Sequence, residues 1–483
     1  MVEIQRARGS NPSESYLADL AELTFLDLWS YPNVYNDKRA TPNGSGQELC
    51  DLLVVCGDHV LIFSCKNISW PETDDFNRAW SRWFRRAIKD SAKQIRGAQR
   101  WIDQFPQRVF VDRMCTQSVP LRLPPKERRK VHGIVVALGA GEACRKYFKG
   151  GIGSLILDAS LSGDEHLADD TQPFFVGDVN PHGSFIHVFD DATLGIAMRE
   201  LDTITDFTSY LTRKEAAIRS GRLGWAFGEE DVLAYYATHT NPRGEHDFTK
   251  PDGSLLEPRD VLVLEEGIFT SLLSNPQYVA KKAADEVSYV WDRLILRFTR
   301  HLLQGTNIVP EGSPADLGTI EEGVRHMVLV PRFIRRGYGA AIVDALHRGM
   351  TKSRNLKAFL PDPETEIGDT GFYFMTLALP TTNPHSYDDY RQLRAVMLRT
   401  YGFGLLHRYP HLKRVVGVAS EPAPSEEGPQ GSSEDLALIY QQEWSDREVD
   451  DLQHDLKALD MFAEGQYSET RVRTREFPEN ESP

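Results

Sequence analysis

Apolar positions recur along this chain with two different periods, and the alternation between them organises its first two hundred residues. After the polar stretch Asn11-Pro12-Ser13, the residues Leu17, Leu20, Ala21, Thr24, Phe25 and Leu28 fall at helical spacing. The spacing predicts an amphipathic helix over 14–30, stopped by Tyr31-Pro32-Asn33. A Gly/Asn/Pro loop is expected from Ala40 to Gly46. Two β-branched runs, Leu49–Val55 and Val60–Phe63, are separated by Cys56-Gly57-Asp58-His59 and read as a hairpin. The 3.6-residue period returns over 77–102, where Trp80, Trp83, Phe84, Ala87, Ile95, Ala98, Trp101 and Ile102 share one side. Further strands are expected at 108–113, 131–138, 152–158 and 184–189.

These elements outline an α/β domain over 1–195. A second α/β domain of unassigned role is expected over 196–418. It has helical patterns at 193–219, 229–238 and 276–303, a strand–helix pair near 325–350 and a strand-like end at Val415-Val416-Gly417. Residues 419–434 have linker composition, and 419–483 as a whole reads as linker and acidic tail, partly disordered, with one short helix near 446–463. A chain of 483 residues fits two or three domains.

Charge sharpens this picture. The net charge is −15, so any affinity for a polyanion must come from a local basic surface. One exists: Arg78, Arg82, Arg85, Arg86, Lys89, Lys93, Arg96 and Arg100 fall within roughly 100° of arc on the polar side of the 77–102 helix. Like charges one turn apart repel, and a phosphate backbone alongside would reverse that penalty. A solvated face or an acidic partner, including the chain's own tail, is the competing explanation. Arg332, Arg335 and Arg336 form a second basic cluster, read equally as an extension of that track or as a solvated helix start.

Candidate chemistry concentrates on the hairpin. Asp51 stands at the start of one apolar strand and Lys66 at the end of its partner, with Ser64 on the face of Lys66 by alternation. Packing does not explain that placement, although an ion pair across the hairpin would. Hard oxygen ligands suit Mg²⁺ or Mn²⁺, and a lysine beside them suits the charge that develops on a scissile phosphate. Other classes find less support. Five cysteines without paired C-x-x-C spacing argue against a disulfide framework or a zinc ribbon. Gly139-Ala-Gly141 lacks the dinucleotide fingerprint. His239, His246 and Asp247 sit beside Asn-Pro-Arg-Gly and read as an exposed loop. The N-terminal stretch has no apolar core and no run of 18 apolar residues occurs, so a cytoplasmic, membrane-free protein is expected.

On these residues the chain resembles the PD-(D/E)xK nuclease superfamily, with its restriction-endonuclease-like fold of a mixed sheet flanked by helices. The resemblance covers roughly residues 12–140. It implies that Asp51 binds metal, that Ser64-Cys65-Lys66 occupies the (D/E)-x-K position, and that Lys66 is the catalytic lysine. It also implies an acid on the first helix, assigned to Glu14, and a helix with basic or Gln residues after the lysine strand, where Gln94 could reach the site. The departure is Ser64, which stands where the second acid belongs. Glu48, turned inward by a bulge, or Glu72, Asp74 or Asp75 would have to supply the missing carboxylate. The implied activity is Mg²⁺- or Mn²⁺-dependent hydrolysis of phosphodiester bonds in DNA, with Asp51, Glu14 and Glu48 on the metal. Arg78, Arg82, Arg85, Arg86, Lys89, Lys93 and Gln94 would contact nucleic acid. Defence against foreign DNA is the role such proteins often have. The alternative is a fold that has lost catalysis and binds nucleic acid or protein, and the central domain is the expected surface for a second copy or a partner.

Overall fold

The computed structural model describes residues 8–38, 45–306, 316–349, 352–365, 367–379, 386–422, 433–463, 468–470 and 475–478. The expected loop at 40–46 and linker at 419–434 lie largely outside them, at 40–44 and 423–432. The chain is mixed α/β and divides into two compact units, Met1–Val279 with Thr299–Ile308, and Ala280–Phe298 with Val309–Pro483. The division falls well after the boundary expected at 195.

The first unit opens with α1 (Pro12–Phe25), capped by the Asn11 side chain. It ends at Leu26, whose φ is +61°. The chain then enters β1 (Ser30–Asn36), in the stretch expected to stop the helix. Proline is tolerated there because β1 is an edge strand. Next come β2 (Gln47–Cys56) and β3 (His59–Asn67), then α2 (Phe76–Phe84), a π-turn over Arg85–Lys89, and α3 (Asp90–Gln104). The π-turn has a sequence cause. Buried pairs at 79/80, 83/84, 87/88 and 91/92 repeat every four residues, which outruns the helical period by roughly 40° per step. One wide turn brings the apolar row back onto the sheet.

After α3 the expected strand at 108–113 is reduced to single bridges through Phe110. The chain continues through β4 (Lys130–Leu138), α4 (Gly141–Phe148), β5 (Ile156–Ser162), β6 (Phe175–Asp178), β7 (Ile186–Asp190), α5 (Thr193–Glu200), α6 (Ile204–Arg219), β8 (Leu223–Ala226), α7 (Glu229–Thr238), β9 (Leu262–Leu264) and α8 (Ile268–Leu273). The main sheet runs β1-β2-β3-β4-β7. Its first three strands are antiparallel, while β4 lies parallel to β3 and β7 parallel to β4. Leu52, Leu53, Val54, Leu61, Ile62 and Phe63 are fully buried at its centre, with α1 and α3 packed on it. A second sheet, β6-β5-β8-β9, completes the unit.

The chain passes through α9 (Pro276–Asp285) and α10 (Tyr289–Gln304) to the second unit. This unit has α11 (Leu317–Val328), α12 (Arg332–Gly349), β10 (Arg354–Phe359), β11 (Thr370–Leu377), α13 (Tyr387–Arg408) and β12 (Arg414–Ser420), then β13 (Glu434–Tyr440) and α14 (Asp446–Ala458). The strand–helix pair expected near 325–350 is two helices. The tail expected to be partly disordered supplies β13 to the sheet β10-β11-β12-β13, and α14 to a core with Tyr401, Leu405 and Leu406. Ile439, Leu452 and Leu456 explain this: they are apolar positions within an acidic segment, and all three are buried. Among the described residues, no helix is long and apolar enough to cross a membrane.

Candidate functional site

Asp51 lies where the β2–β3 ladder ends. Pairing runs from Cys56↔His59 to Leu52↔Phe63 and stops, leaving the next backbone donor without its strand partner. The Asp51 carboxylate takes that role, accepting from the Cys65 N–H at 2.5 Å. Asp51 is buried, while Lys66, one residue beyond that amide, is half-buried. Among the described residues Lys66 forms no ion pair within 4.0 Å, so the pair is not a structural salt bridge across the hairpin. Burial pushes the Asp51 carboxyl up to about 7. Lys66 and the Cys65 amide oppose that rise, and Glu48 and Glu14 add to it.

Two further carboxylates converge on Asp51. Between Val34↔Cys50 and Tyr35↔Glu48, β1 advances one residue and β2 advances two, so Leu49 is the extra residue of a β-bulge. By alternation Glu48 would face away from Asp51, and the bulge reverses that. Glu14 arrives from the first turn of α1, where a helix N-terminus favours negative charge. Its oxygens accept from Ser10 N at 2.8 Å and from Asn11 Nδ2 at 2.5 Å. One carboxylate oxygen each from Glu14, Glu48 and Asp51 lie within 4.8 Å of one another. Glu48 is exposed, Glu14 intermediate and Asp51 buried, so the three form a cup that opens at Glu48 and deepens to Asp51. Three carboxylate oxygens at that spacing suit a hard divalent cation.

Ser64 is buried and donates to Gln94 Oε1 at 3.0 Å, which ties the end of β3 to α3. Glu72 and Asp74 are exposed and Asp75 caps α2, accepting from Arg78 N at 3.0 Å. None of the three joins the cup. Cys65 sits between Ser64 and Lys66, but burial, with Asp51 and Glu14 adding to it, pushes its thiol up to about 12. A thiolate nucleophile is therefore unavailable there.

Two residues beside the cup went unread in the sequence. Asn33 on β1 donates from Nδ2 to Glu14 Oε2 at 2.9 Å and to Glu48 Oε1 at 3.2 Å. The Tyr35 phenol is raised by burial and by Glu48 and Glu14, with Arg113 opposing. The one available signal was Tyr31-x-Asn33-x-Tyr35, a two-residue period masked by Pro32.

The cations of α2, the π-turn and α3 are exposed along their whole length. Lys89 pairs with Asp164 at 2.6 Å and Arg96 reaches Asn180 Oδ1 at 3.4 Å. Arg78, Arg82, Arg85, Arg86, Lys93 and Arg100 form no ion pair among the described residues. The second basic cluster behaves differently and is neither a track nor a solvated helix start. Arg332 and Arg335 are buried on Asp292, and Arg336 pairs with Asp285 at 2.6 Å. His239 stacks on Tyr235, and Asp247 pairs with Arg213 at 3.0 Å, so this loop's polar groups are engaged within the protein.

Comparison of the chain with protein-family models, with curated proteins and with solved structures finds no match in any of the three.

Proposed function

We propose that the first unit is a metal-dependent nuclease of the restriction-endonuclease-like kind, hydrolysing phosphodiester bonds in nucleic acid, with DNA as its expected substrate. The observation that carries this reading is the cup itself: Glu14, Glu48 and Asp51 within 4.8 Å of one another, Glu14 from α1 and the other two from β2, whose bulge turns Glu48 inward. The succession of helix, Asp-bearing strand, Lys-ended strand and basic helix supports it, because chemistry and element order then agree.

Glu14, Glu48 and Asp51 would hold Mg²⁺ or Mn²⁺, and such a cation supplies an activated water and offsets charge on the phosphate. Lys66 carries its cation to the rim beside Asp51, where it orients the phosphate and stabilises the charge that develops in the transition state. Ser64 and Gln94 close the site on the α3 side. The unpaired cations of α2 and α3 run along the phosphate backbone, so binding weakens steeply with salt.

The test incubates the full chain with plasmid DNA in Mg²⁺, Mn²⁺ or EDTA. Cleavage is expected with either metal, none in EDTA, and a loss of at least about 100-fold in Asp51→Ala and Lys66→Ala. Absence of metal-dependent cleavage, or cleavage indifferent to both substitutions, rejects the nuclease. Retained DNA binding in that event would favour the binding-module alternative.

A further inference from the structure

Three carboxylate oxygens held within 4.8 Å repel one another, and something must hold them there before a cation arrives. We infer that Asn33 is the positioning residue of the cup, fixing Glu14 and Glu48 at ligand spacing through the two hydrogens of its side-chain amide. The inference rests on reading the cup as a cation site.

Asn33 sits between Pro32↔Leu52 and Val34↔Cys50 in the β1–β2 register, directly across from Asp51. Its residue exposure is 1%. Nδ2 donates to Glu14 Oε2 and to Glu48 Oε1 at 2.9 and 3.2 Å, joining the helix carboxylate to the strand carboxylate. Its Oδ1 is buried without a hydrogen-bond partner, a cost carried to place the nitrogen on the acids. Its φ is +49°, in the left-handed region that asparagine and aspartate tolerate better than other side chains. Aspartate would fit that backbone, but it would bring a fourth carboxylate and no donor. Asparagine meets both demands, and its amide offers one hydrogen to each acid. The arrangement leaves Glu48 Oε2 with no protein donor among the described residues, open to a ligand. An outer partner that holds a ligating group in place typically contributes 10–100-fold in metal affinity.

The experiment measures Mn²⁺ binding to the full chain by loss of the free-ion EPR signal, with thermal melting as a check on folding. The variants are Asn33→Gly, which suits the positive φ, Asn33→Asp, Glu48→Gln, and Asn33→Gly with Glu48→Gln. Asn33→Gly is expected to weaken binding at least about tenfold. Because Asn33 acts partly through Glu48, the double variant should bind less than about tenfold more weakly than Glu48→Gln alone. Asn33→Asp, which keeps the shape and the backbone conformation, should also bind more weakly than the parent. Binding by Asn33→Gly within about twofold of the parent overturns the inference while leaving the cation site standing. Full multiplication of the two single effects, or tighter binding by Asn33→Asp, does the same; the latter makes position 33 a direct ligand. A parent protein that takes up no Mn²⁺ overturns both the inference and the reading beneath it.

Discussion

At the scale of single residues, position 64 divides what the sequence shows from what it hides. The motif around Lys66 is legible because an acid at the start of one apolar strand and a lysine at the end of its antiparallel partner, side by side at one end of the hairpin, are rare as packing. Which acid accompanies Asp51 is less legible, since strict alternation turns Glu48 away from it. Only the unpaired Leu49 brings Glu48 back, and a bulge leaves little mark in a single sequence. Asn33 was hidden for a related reason: Tyr-Pro-Asn has the composition of a helix stop, and its strand conformation depends on an edge position set by tertiary pairing. If Glu48 supplies the carboxylate that position 64 lacks, the two sites respond unequally to truncation. Glu48→Ala should abolish metal-dependent cleavage. Ser64→Ala, which loses one hydrogen bond to Gln94, should reduce it by less than about tenfold. Initial rates on plasmid DNA decide this, and an inactive Ser64→Ala beside an active Glu48→Ala reverses the assignment.

At the scale of elements, the long periodic helices, the hairpin and the acidic helix near 446–463 were readable, whereas several short strands, β1 and β13 among them, were not. The 77–102 helix announced itself by a stripe of aromatics, yet its π-turn follows from a four-residue spacing that a simple helical wheel smooths over. The short helix expected near 446–463 is α14, whereas β13 was missed because its apolar run Leu436–Tyr440 lies in a segment of acidic, linker-like composition and is ordered by pairing with β12. The basic helix yields a sharper prediction than its sequence alone allowed, because Lys89 is already paired with Asp164. Arg82, Arg85 and Lys93 are exposed and free of ion pairs among the described residues. Reversing these three to Glu should weaken DNA binding and flatten the dependence of log K on log salt by about 2–3 units, near 0.9 per lost phosphate contact. Titrations at several salt concentrations measure it, and an unchanged slope places the DNA elsewhere.

At the scale of the whole molecule, the net charge of −15 means that binding by one basic face competes with repulsion from the rest. Acid should affect the fold before it affects that balance. His59 Nδ1 and His132 Nε2 lie 3.0 Å apart in stacked rings on β3 and β4. Burial lowers His59 to about 4 and His132 to about 3, with Lys130 lowering both and His59 lowering His132. Both are neutral in the folded chain below the pH at which the unfolded chain takes up protons, near 6.5. Their contribution is therefore intact above pH 6.5 and is lost as pH falls toward 4 and 3. The urea midpoint should drop across that window, and His132→Asn should reduce the proton uptake on unfolding by about one. A midpoint flat from pH 7 to 4, or a slope unaltered by that substitution, contradicts the account.

The central claim is that one cup of carboxylates brings a cation to a phosphodiester. Crystals of the full chain grown with Mn²⁺ and a short DNA duplex, measured at the manganese edge, test it in one experiment. An anomalous peak shared by Glu14, Glu48, Asp51 and a phosphate oxygen is expected, with Lys66 facing that phosphate and the backbone lying along α2 and α3. A cup without manganese, or DNA seated away from it, would contradict the account.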